Sequence, residues 1–225
     1  MKRWRAIGFA TLIAASALIG LAPLSIAQAP QRGGSFQVVE ASIADIHAAY
    51  KSGTLTARQL TQAYFDRIEA YDKNGPKINS VIAVDPRALE EADRLDAAYK
   101  SGGFVGPLHG IPILVKDEID TEGMATTMGT LVMKDYRPVK DAFVVDRLRK
   151  AGAIILGKTT LSEWARGDTY GSMFGVTRNP YDPERTVGGS SGGSGAALAA
   201  NLSTVSLGEE TLASIRRPGG WNAVV

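Results

Sequence analysis

The apolar positions of the chain recur at helical spacing in its first hundred residues. Ser42-Ile-Ala-Asp45 has the form of a capping box and predicts a short helix to about Lys51. Thr56-Ala-Arg-Gln59 repeats that signal ahead of a longer amphipathic pattern. The apolar residues of the longer helix are Leu60, Tyr64, Ile68 and Tyr71. We therefore expect an N-terminal helical segment.

From residue 80 onward, short apolar runs alternate with helical patterns. Strands are predicted at 80–84, 111–115, 153–156 and 204–207, and helices at 85–100, 141–151, 161–166 and 192–201. Asp85-Pro86 is expected to begin the first of these helices and Asp141 the second. This alternation favours an α/β fold with a mixed, largely parallel sheet flanked by helices. Trp221–Val225 forms an apolar, strand-like ending, from which we expect the sheet to be incomplete.

Residues 1–27 have the pattern of a secretory signal peptide. Met1–Arg5 is basic, Ala6–Leu24 is mostly apolar, and Ser25 and Ala27 are small residues at the cleavage-site positions. We expect cleavage after Ala27, which leaves a mature domain of residues 28–225. We expect this domain to be periplasmic or secreted and not to be stably inserted in a membrane. An uncleaved N-terminal anchor is the alternative, because the apolar run approaches spanning length.

Composition excludes several classes of function. The chain has 225 residues and a net charge of +2; without Lys2, Arg3 and Arg5 of the leader, 22 basic residues face 23 acidic ones. No dense basic patch remains, so we expect no nucleic-acid partner. The absence of cysteine excludes disulfides and a thiol nucleophile, and two histidines, His47 and His109, offer little for a metal site. We expect no metal and no organic cofactor.

A run of seven glycine and serine residues, Gly188–Ser194, precedes the small-residue helix predicted near 192–201. A flexible linker of this composition is flanked by polar sequence, and this run is not. A glycine-rich turn that opens onto a helix presents backbone N–H groups and small hydroxyls at short range. We interpret the run as part of a functional site.

Three residues, Lys116, Ser190 and Ser214, can together carry out nucleophilic catalysis without a histidine. A serine hydroxyl needs a base to take its proton, and Lys116, at the end of an apolar strand, is placed where burial favours a neutral amine. Ser190 can relay a proton between Lys116 and a second serine, Ser214. Ser214 follows a short turn whose backbone N–H groups can stabilise an oxyanion. As single residues, each also fits an ordinary loop serine or a solvated lysine.

A second motif in the sequence suggests nucleotide binding. Gly152–Thr159 matches the phosphate-binding loop pattern, with Lys158 as its lysine. That motif requires a strand before the first glycine and an open loop after it. Here a helix is predicted before Gly152 and a strand between the two glycines, so nucleotide binding is kept only as an alternative.

Taken together, the motifs resemble the amidase signature family of Ser–Ser–Lys hydrolases. The matching segments are Pro107–Asp117, Thr126–Gly129, Ala151–Thr159 with Glu163, Asn179–Asp182 and Gly188–Ala200, within a resemblance that spans roughly 40–220. The resemblance implies the amidase signature fold and an enzyme that hydrolyses a small-molecule carboxylic amide to an acid plus ammonia or an amine. The signal-peptide pattern adds the expectation that this enzyme is exported.

The resemblance also implies a role for each site residue. Lys116 matches the catalytic lysine, Ser190 the bridging serine that follows a cis peptide bond, and Ser214 the nucleophile that carries the acyl group. The expected residues of the oxyanion and substrate site are Thr211, Leu212, Ala213, Gly189 and Ser191.

Two features depart from the family pattern. Leu212 and Ala213 stand where glycines are common, and Glu209-Glu210 replaces a Thr-Asp type of pair. Family members also continue well beyond position 225. The competing hypothesis is therefore a catalytically inactive fragment, or a binding relic of the fold.

Overall fold

A computed structural model describes residues 36–225 of the chain. The predicted signal peptide lies outside the described residues. Six α-helices are found in the described range: α1 (Ile43–Ser52), α2 (Ala57–Arg67), α3 (Ala88–Gly102), α4 (Phe143–Lys150), α5 (Gly192–Ala199) and α6 (Arg216–Trp221). A π-helical turn at Ile68–Lys73 continues α2, and short 3-10 turns lie at Leu131–Met133 and Glu163–Ala165.

The central sheet has four strands: β1 (Val81–Val84), β2 (Pro112–Lys116), β3 (Ile154–Thr159) and, further along the chain, β6 (Val205–Leu207). Their order is β1-β3-β2-β6, with β2 parallel to both β3 and β6 and β1 antiparallel to β3. A separate hairpin pairs β4 (Tyr170–Gly171) with β5 (Gly175–Val176). The predicted fold class, α/β with a mixed and largely parallel sheet, is confirmed.

The N-terminal helices form where the capping sequences predict them. The Ser42 and Thr56 side chains each accept a hydrogen bond from the backbone N–H of the third helical residue, whose own side-chain oxygen accepts one from the backbone N–H of the cap residue. Leu60 and Tyr64 of α2 are buried, as are all residues of β2 and β3. These two residues and the aliphatic side chains of the two strands belong to one apolar core. Within 36–225 no helix combines the length and the apolar character needed to cross a membrane.

The two helix starts predicted at Asp85 and Asp141 lie two to three residues ahead of the observed ones, Ala88 and Phe143. Asp85 accepts a hydrogen bond from the backbone N–H of Arg87 at 2.9 Å, which makes a turn, and α3 begins one residue later, at Ala88. The Asp141 carboxylate accepts from the backbone N–H of Glu122 and from Arg149, so it does not cap α4.

Two further predictions are corrected near the end of the chain. The helix expected over 161–166 is a single 3-10 turn, because Trp164 and Ala165 adopt positive φ. The strand-like ending is instead the end of α6 and a turn. Asn222 is buried and donates to the carbonyl oxygens of Val187 and Pro218, which folds the last residues back onto α6.

The parallel strands position the site. β2, β3 and β6 run in the same direction, so their carboxyl ends meet at one edge of the sheet. Lys116 is the last residue of β2, and Gly208-Glu209 follows β6 directly. The glycine–serine run leads into α5, which packs against β6 and β2 at this edge.

Candidate active site

The centre of the site is a buried contact between Lys116 and Ser190. Lys116 is wholly buried, although it carries an amine, and Ser190 is 2% exposed. The Nζ atom of Lys116 donates a hydrogen bond to the Oγ atom of Ser190 at 2.7 Å. The peptide bond between Gly189 and Ser190 is cis. Two residues 74 positions apart are thus brought into direct contact at the edge of the sheet.

Two carboxylates share the Lys116 amine with Ser190. Glu118 Oε1 lies 2.7 Å from Lys116 Nζ and Glu209 Oε2 lies 3.4 Å away, while the Glu209 carbonyl oxygen accepts from Nζ at 3.3 Å. Glu118 Oε1 has no partner of good hydrogen-bond angle in the described part of the chain, so its contact is an ion pair by distance. Burial raises the pKa of Glu118, although Lys116 acts against that change. Burial acts to raise the pKa of Glu209, but Glu118 and Lys116 favour its ionised form, and the pKa is lowered as a result.

Ser191 ties the glycine–serine loop to the segment that carries Ser214. Its Oγ atom donates to the Glu209 carbonyl oxygen at 3.0 Å and accepts from the Glu209 N–H at 3.3 Å. Its backbone N–H donates to the carbonyl oxygen of Ser214 at 3.0 Å. These bonds hold Ser214 next to the Lys116–Ser190 pair through the backbone. The Ser214 side chain is half-buried and makes no hydrogen bond to another described residue.

The loop before Ser214 has free backbone donors. In the described range, the N–H groups of residues 211–214 donate to no protein acceptor. The positions where glycine is common do not have positive φ: Leu212 and Ala213 have negative values, and Leu212 is 79% exposed. Thr211 donates through its hydroxyl to Glu209 at 3.2 Å. The loop therefore has a different backbone conformation from one that depends on glycine, yet it leaves its donors available.

The glycine run is a tightly packed turn and helix start. Gly188 has a φ of 75°, a conformation that glycine adopts without strain. A Cβ atom on Gly189 would overlap the Gly167 carbonyl oxygen and the Ser162 hydroxyl, so no side chain fits beside Ser190.

Lys158 lies on the other face of the sheet and is not a phosphate ligand in this arrangement. It is fully buried, and its Nζ atom donates to the carbonyl oxygens of Asp117 at 3.0 Å and Ala125 at 3.3 Å. As expected, α4 precedes Gly152 and β3 occupies the place of the open loop. Asp117 in turn accepts from the N–H and hydroxyl of Thr127. These contacts fix the chain that leaves β2 after Lys116.

Sequence reasoning allows a weak pair of Glu118 with Lys116 and treats Glu209-Glu210 only as a departure from the family pattern, so it assigns none of the three glutamates a role in the site. Glu118 and Glu209 flank the lysine, and Glu210 accepts from the backbone N–H groups of Ile215 and Arg216 at 2.8 Å, which holds the turn after Ser214. The only available signals were the acidic residue two positions after Lys116 and the Glu-Glu pair after a strand. Neither pattern by itself indicates which side chains turn inward.

The two histidines lie together away from the lysine. His47 Nε2 contacts the His109 carbonyl oxygen at 3.0 Å, and both rings pack against Phe104. Burial lowers the pKa of His109. Among residues 36–225, no group of three potential metal ligands is close enough to hold an ion.

Comparison with known proteins places this arrangement in a family. The family model described as Amidase matches residues 59–225, well over half of the chain. The chain belongs to the Amidase family. A glutamyl-tRNA(Gln) amidotransferase subunit of Salinispora tropica is 42% identical over 186 residues, which cover 82% of this chain and 37% of that protein. Its chloroplastic/mitochondrial counterpart in Zea mays is 45% identical over 82% of this chain and 34% of its own length.

Solved structures of the Amidase family agree with the fold. The native peptide amidase of Stenotrophomonas maltophilia is 46% identical, with a TM-score of 0.77 over 80% of this chain and 38% of that chain. The amidase signature fold expected from the motifs is therefore confirmed. The chain spans less than two fifths of the length of each of these three relatives.

Proposed function

We propose that this chain carries the catalytic centre of an exported enzyme that hydrolyses a carboxylic amide to an acid plus ammonia or an amine. The observation that supports the proposal most strongly is the buried 2.7 Å contact between Lys116 Nζ and Ser190 Oγ, in a loop bonded to the Ser214 backbone. A buried amine against a buried hydroxyl, beside a second serine, supplies a base, a relay and a nucleophile.

The proton path runs from Ser214 through Ser190 to Lys116. Lys116, as the neutral amine, takes the Ser190 proton, and Ser190 takes the proton of Ser214 as its oxygen attacks the amide carbonyl. The C–N bond then breaks, the proton returns through Ser190 to the leaving nitrogen, and an acyl ester remains on Ser214. Water attacks this ester by the same path and releases the acid.

The oxyanion formed in each attack needs donors. The backbone N–H groups of residues 211–214, which donate to no described protein acceptor, are the donors proposed for this role, and each well-placed donor contributes about 3 kcal/mol to transition-state stabilisation. The Ser214 hydroxyl has to reach Ser190 Oγ for the first step. Catalytic hydrogen bonds are commonly longer without substrate, so the absent Ser190–Ser214 bond is compatible with the proposal.

The substrate proposed is a small-molecule amide of a class still open. The relatives are named for different chemistry, one as a peptide amidase and two as components of an amidotransferase, so peptide amides and glutamine belong in the first panel, together with amino-acid amides and acyl amides. An inactive form of the fold is the second candidate. The exposed Leu212 and the absence of positive φ at 212 and 213 favour it.

Release of ammonia or amine from this panel tests the proposal. The 225-residue chain is expected to hydrolyse at least one amide, and Ser214→Ala is expected to lower the rate by a factor of about 1,000 or more, as for loss of an activated nucleophile. Ser101→Ala is the matched control, because Ser101 is exposed at the end of α3. Hydrolysis that persists in Ser214→Ala would refute the assignment, and no hydrolysis by the folded wild type would favour the inactive form.

Export is part of the proposal and rests on the pattern of residues 1–27. Expression in a bacterium and mass analysis of the periplasmic protein are expected to give a mature N-terminus at Gln28. Recovery of the whole chain from the membrane fraction would favour the uncleaved anchor.

A further inference from the structure

The amine of Lys116 contacts two carboxylates in addition to the Ser190 hydroxyl. Nζ contacts Ser190 Oγ at 2.7 Å, Glu118 Oε1 at 2.7 Å and Glu209 Oε2 at 3.4 Å. Lys116 is wholly buried, and the Glu118 side chain is 11% exposed. The ion pair with Glu118 is therefore largely shielded from water. Charge–charge interactions are stronger in such a buried environment than at the protein surface.

Among residues 36–225, no charged group other than Lys116 forms an ion pair with these two carboxylates. On the parallel strand β3, Thr159 is paired with Lys116 and binds the Ser194 hydroxyl, which has no charge. Asp117 and Lys158 face each other across the opposite side of the sheet, with Asp117 Oδ1 3.8 Å from Lys158 Nζ. The groups that meet the amine from β2, from the loop before α5 and from the end of β6 are therefore Glu118, Ser190 and Glu209.

An ionised carboxylate within about 4–6 Å favours the protonated form of an amine. The Lys116 amine in turn favours the ionised form of Glu118, against the effect of burial, which raises the pKa of Glu118. The proposed function needs the opposite form, because only a neutral amine can take the proton of Ser190. We propose that Glu118 and Glu209 are positioning residues that hold Lys116 as an ammonium and thereby set the lower pH limit of the Ser190–Ser214 chemistry. This inference rests on the proposed function.

The proposal differs from two other roles for Glu118. If Glu118 received the proton from Lys116, its removal would lower the rate at every pH. If the ion pair only stabilised the fold, its removal would change stability and leave the pH profile unmoved. Electrostatic control alone predicts a faster reaction at neutral pH when the charge of Glu118 is removed.

The test is the pH profile for modification of Ser214 by a fluorophosphonate probe, followed by intact mass between about pH 5 and 10. In Glu118→Gln, which keeps the side-chain shape, the acidic limb is expected to move to lower pH by about one unit or more, a rate increase of about tenfold on that limb. Glu118→Asp restores the charge and is expected to move the limb back toward the wild-type position. Glu209→Gln is expected to give a smaller shift in the same direction, because its carboxylate is farther from Nζ. The control is Glu90→Gln, on the exposed surface of α3, with no shift expected.

A limb that does not move, or a rate that falls at every pH in Glu118→Gln, would overturn the inference. Failure of the proposed function gives a different result, namely no Ser214 adduct on the folded wild type at any pH. In that case the Cε resonance of ¹³C-labelled Lys116 decides the inference directly. Its titration is expected at lower pH in Glu118→Gln than in the wild type, and identical titrations would overturn the proposal.

Discussion

Replacing Lys158 by methionine is expected to remove a pH-dependent contribution to stability. Lys158 is fully buried in β3, and its amine is held by two carbonyl oxygens and by Asp117 at 3.8 Å. Burial lowers the pKa of Lys158 to about 8, although Asp117 acts against that change. Methionine has a similar length and no charge, so the comparison isolates the titration of the amine.

The sign follows from the number of protons bound in each state. In the unfolded chain a lysine releases its proton near a pH of about 10.4, whereas the folded protein, in which the pKa of Lys158 is about 8, releases it earlier. Between these values the unfolded state binds more protons, so the free energy of unfolding increases with pH. A difference of about 2.4 pKa units at about 1.36 kcal/mol per unit corresponds to about 3 kcal/mol.

The assay is urea denaturation of wild type and Lys158→Met at intervals from about pH 7 to 10.5. The wild type is expected to gain about 3 kcal/mol relative to the variant across this window, because contributions from all other groups cancel in the difference. Lys150→Met, at an exposed position on α4, is the control and is expected to show no comparable trend. A constant difference between wild type and Lys158→Met would refute the reasoning, as would a wild type that loses stability relative to the variant.

Two other substitutions test the packing around the site. Asp72→Ala removes a buried carboxylate that accepts from the N–H and hydroxyl of Ser80 at 2.6 Å and from the N–H of Val81 at 3.2 Å. We expect the free energy of unfolding, measured by urea denaturation, to fall by about 3 kcal/mol. A decrease below about 1 kcal/mol would contradict this interpretation. Gly189→Ala forces a Cβ atom against Ser162 and the Gly167 carbonyl oxygen. We expect the free energy of unfolding to fall by about 1–3 kcal/mol and the fluorophosphonate to modify Ser214 more slowly. Wild-type behaviour in both assays would contradict this expectation and show that the loop can shift to accommodate the methyl group.

Most of the fold could be predicted from periodicity and capping sequences. The helices after Ser42 and Thr56 and the buried strands at β2 and β3 carry strong local signals, and these elements form as expected. The errors fall where a tertiary contact overrides a local signal. Asp141 binds Arg149 and Glu122 instead of capping α4, and the apolar ending folds back because Asn222 is buried against Val187 and Pro218.

The candidate site could be predicted only in part. A lysine at a strand end and a glycine–serine turn are weak signals separately, and Lys116 and Ser190 are singled out by the order of the whole motif set and by the family resemblance; the structure places their side chains 2.7 Å apart. The inward orientation of Glu118 and Glu209 depends on how three strand ends converge, which no local pattern contains. Likewise, no local pattern predicts that the Glu210 carboxylate accepts from the backbone N–H groups of Ile215 and Arg216 across the Ser214 loop.

Covalent modification of Ser214 tests the central claim most directly. The 225-residue chain is treated at a single pH with a fluorophosphonate, and the adduct is located by peptide mapping in the wild type, Lys116→Met and Ser190→Ala. We predict an adduct on Ser214 of the wild type and little or none in either variant, because each breaks the proton path that activates the nucleophile. Equal modification in Lys116→Met, or no adduct on the folded wild type, would contradict a Ser214–Ser190–Lys116 catalytic centre in this chain.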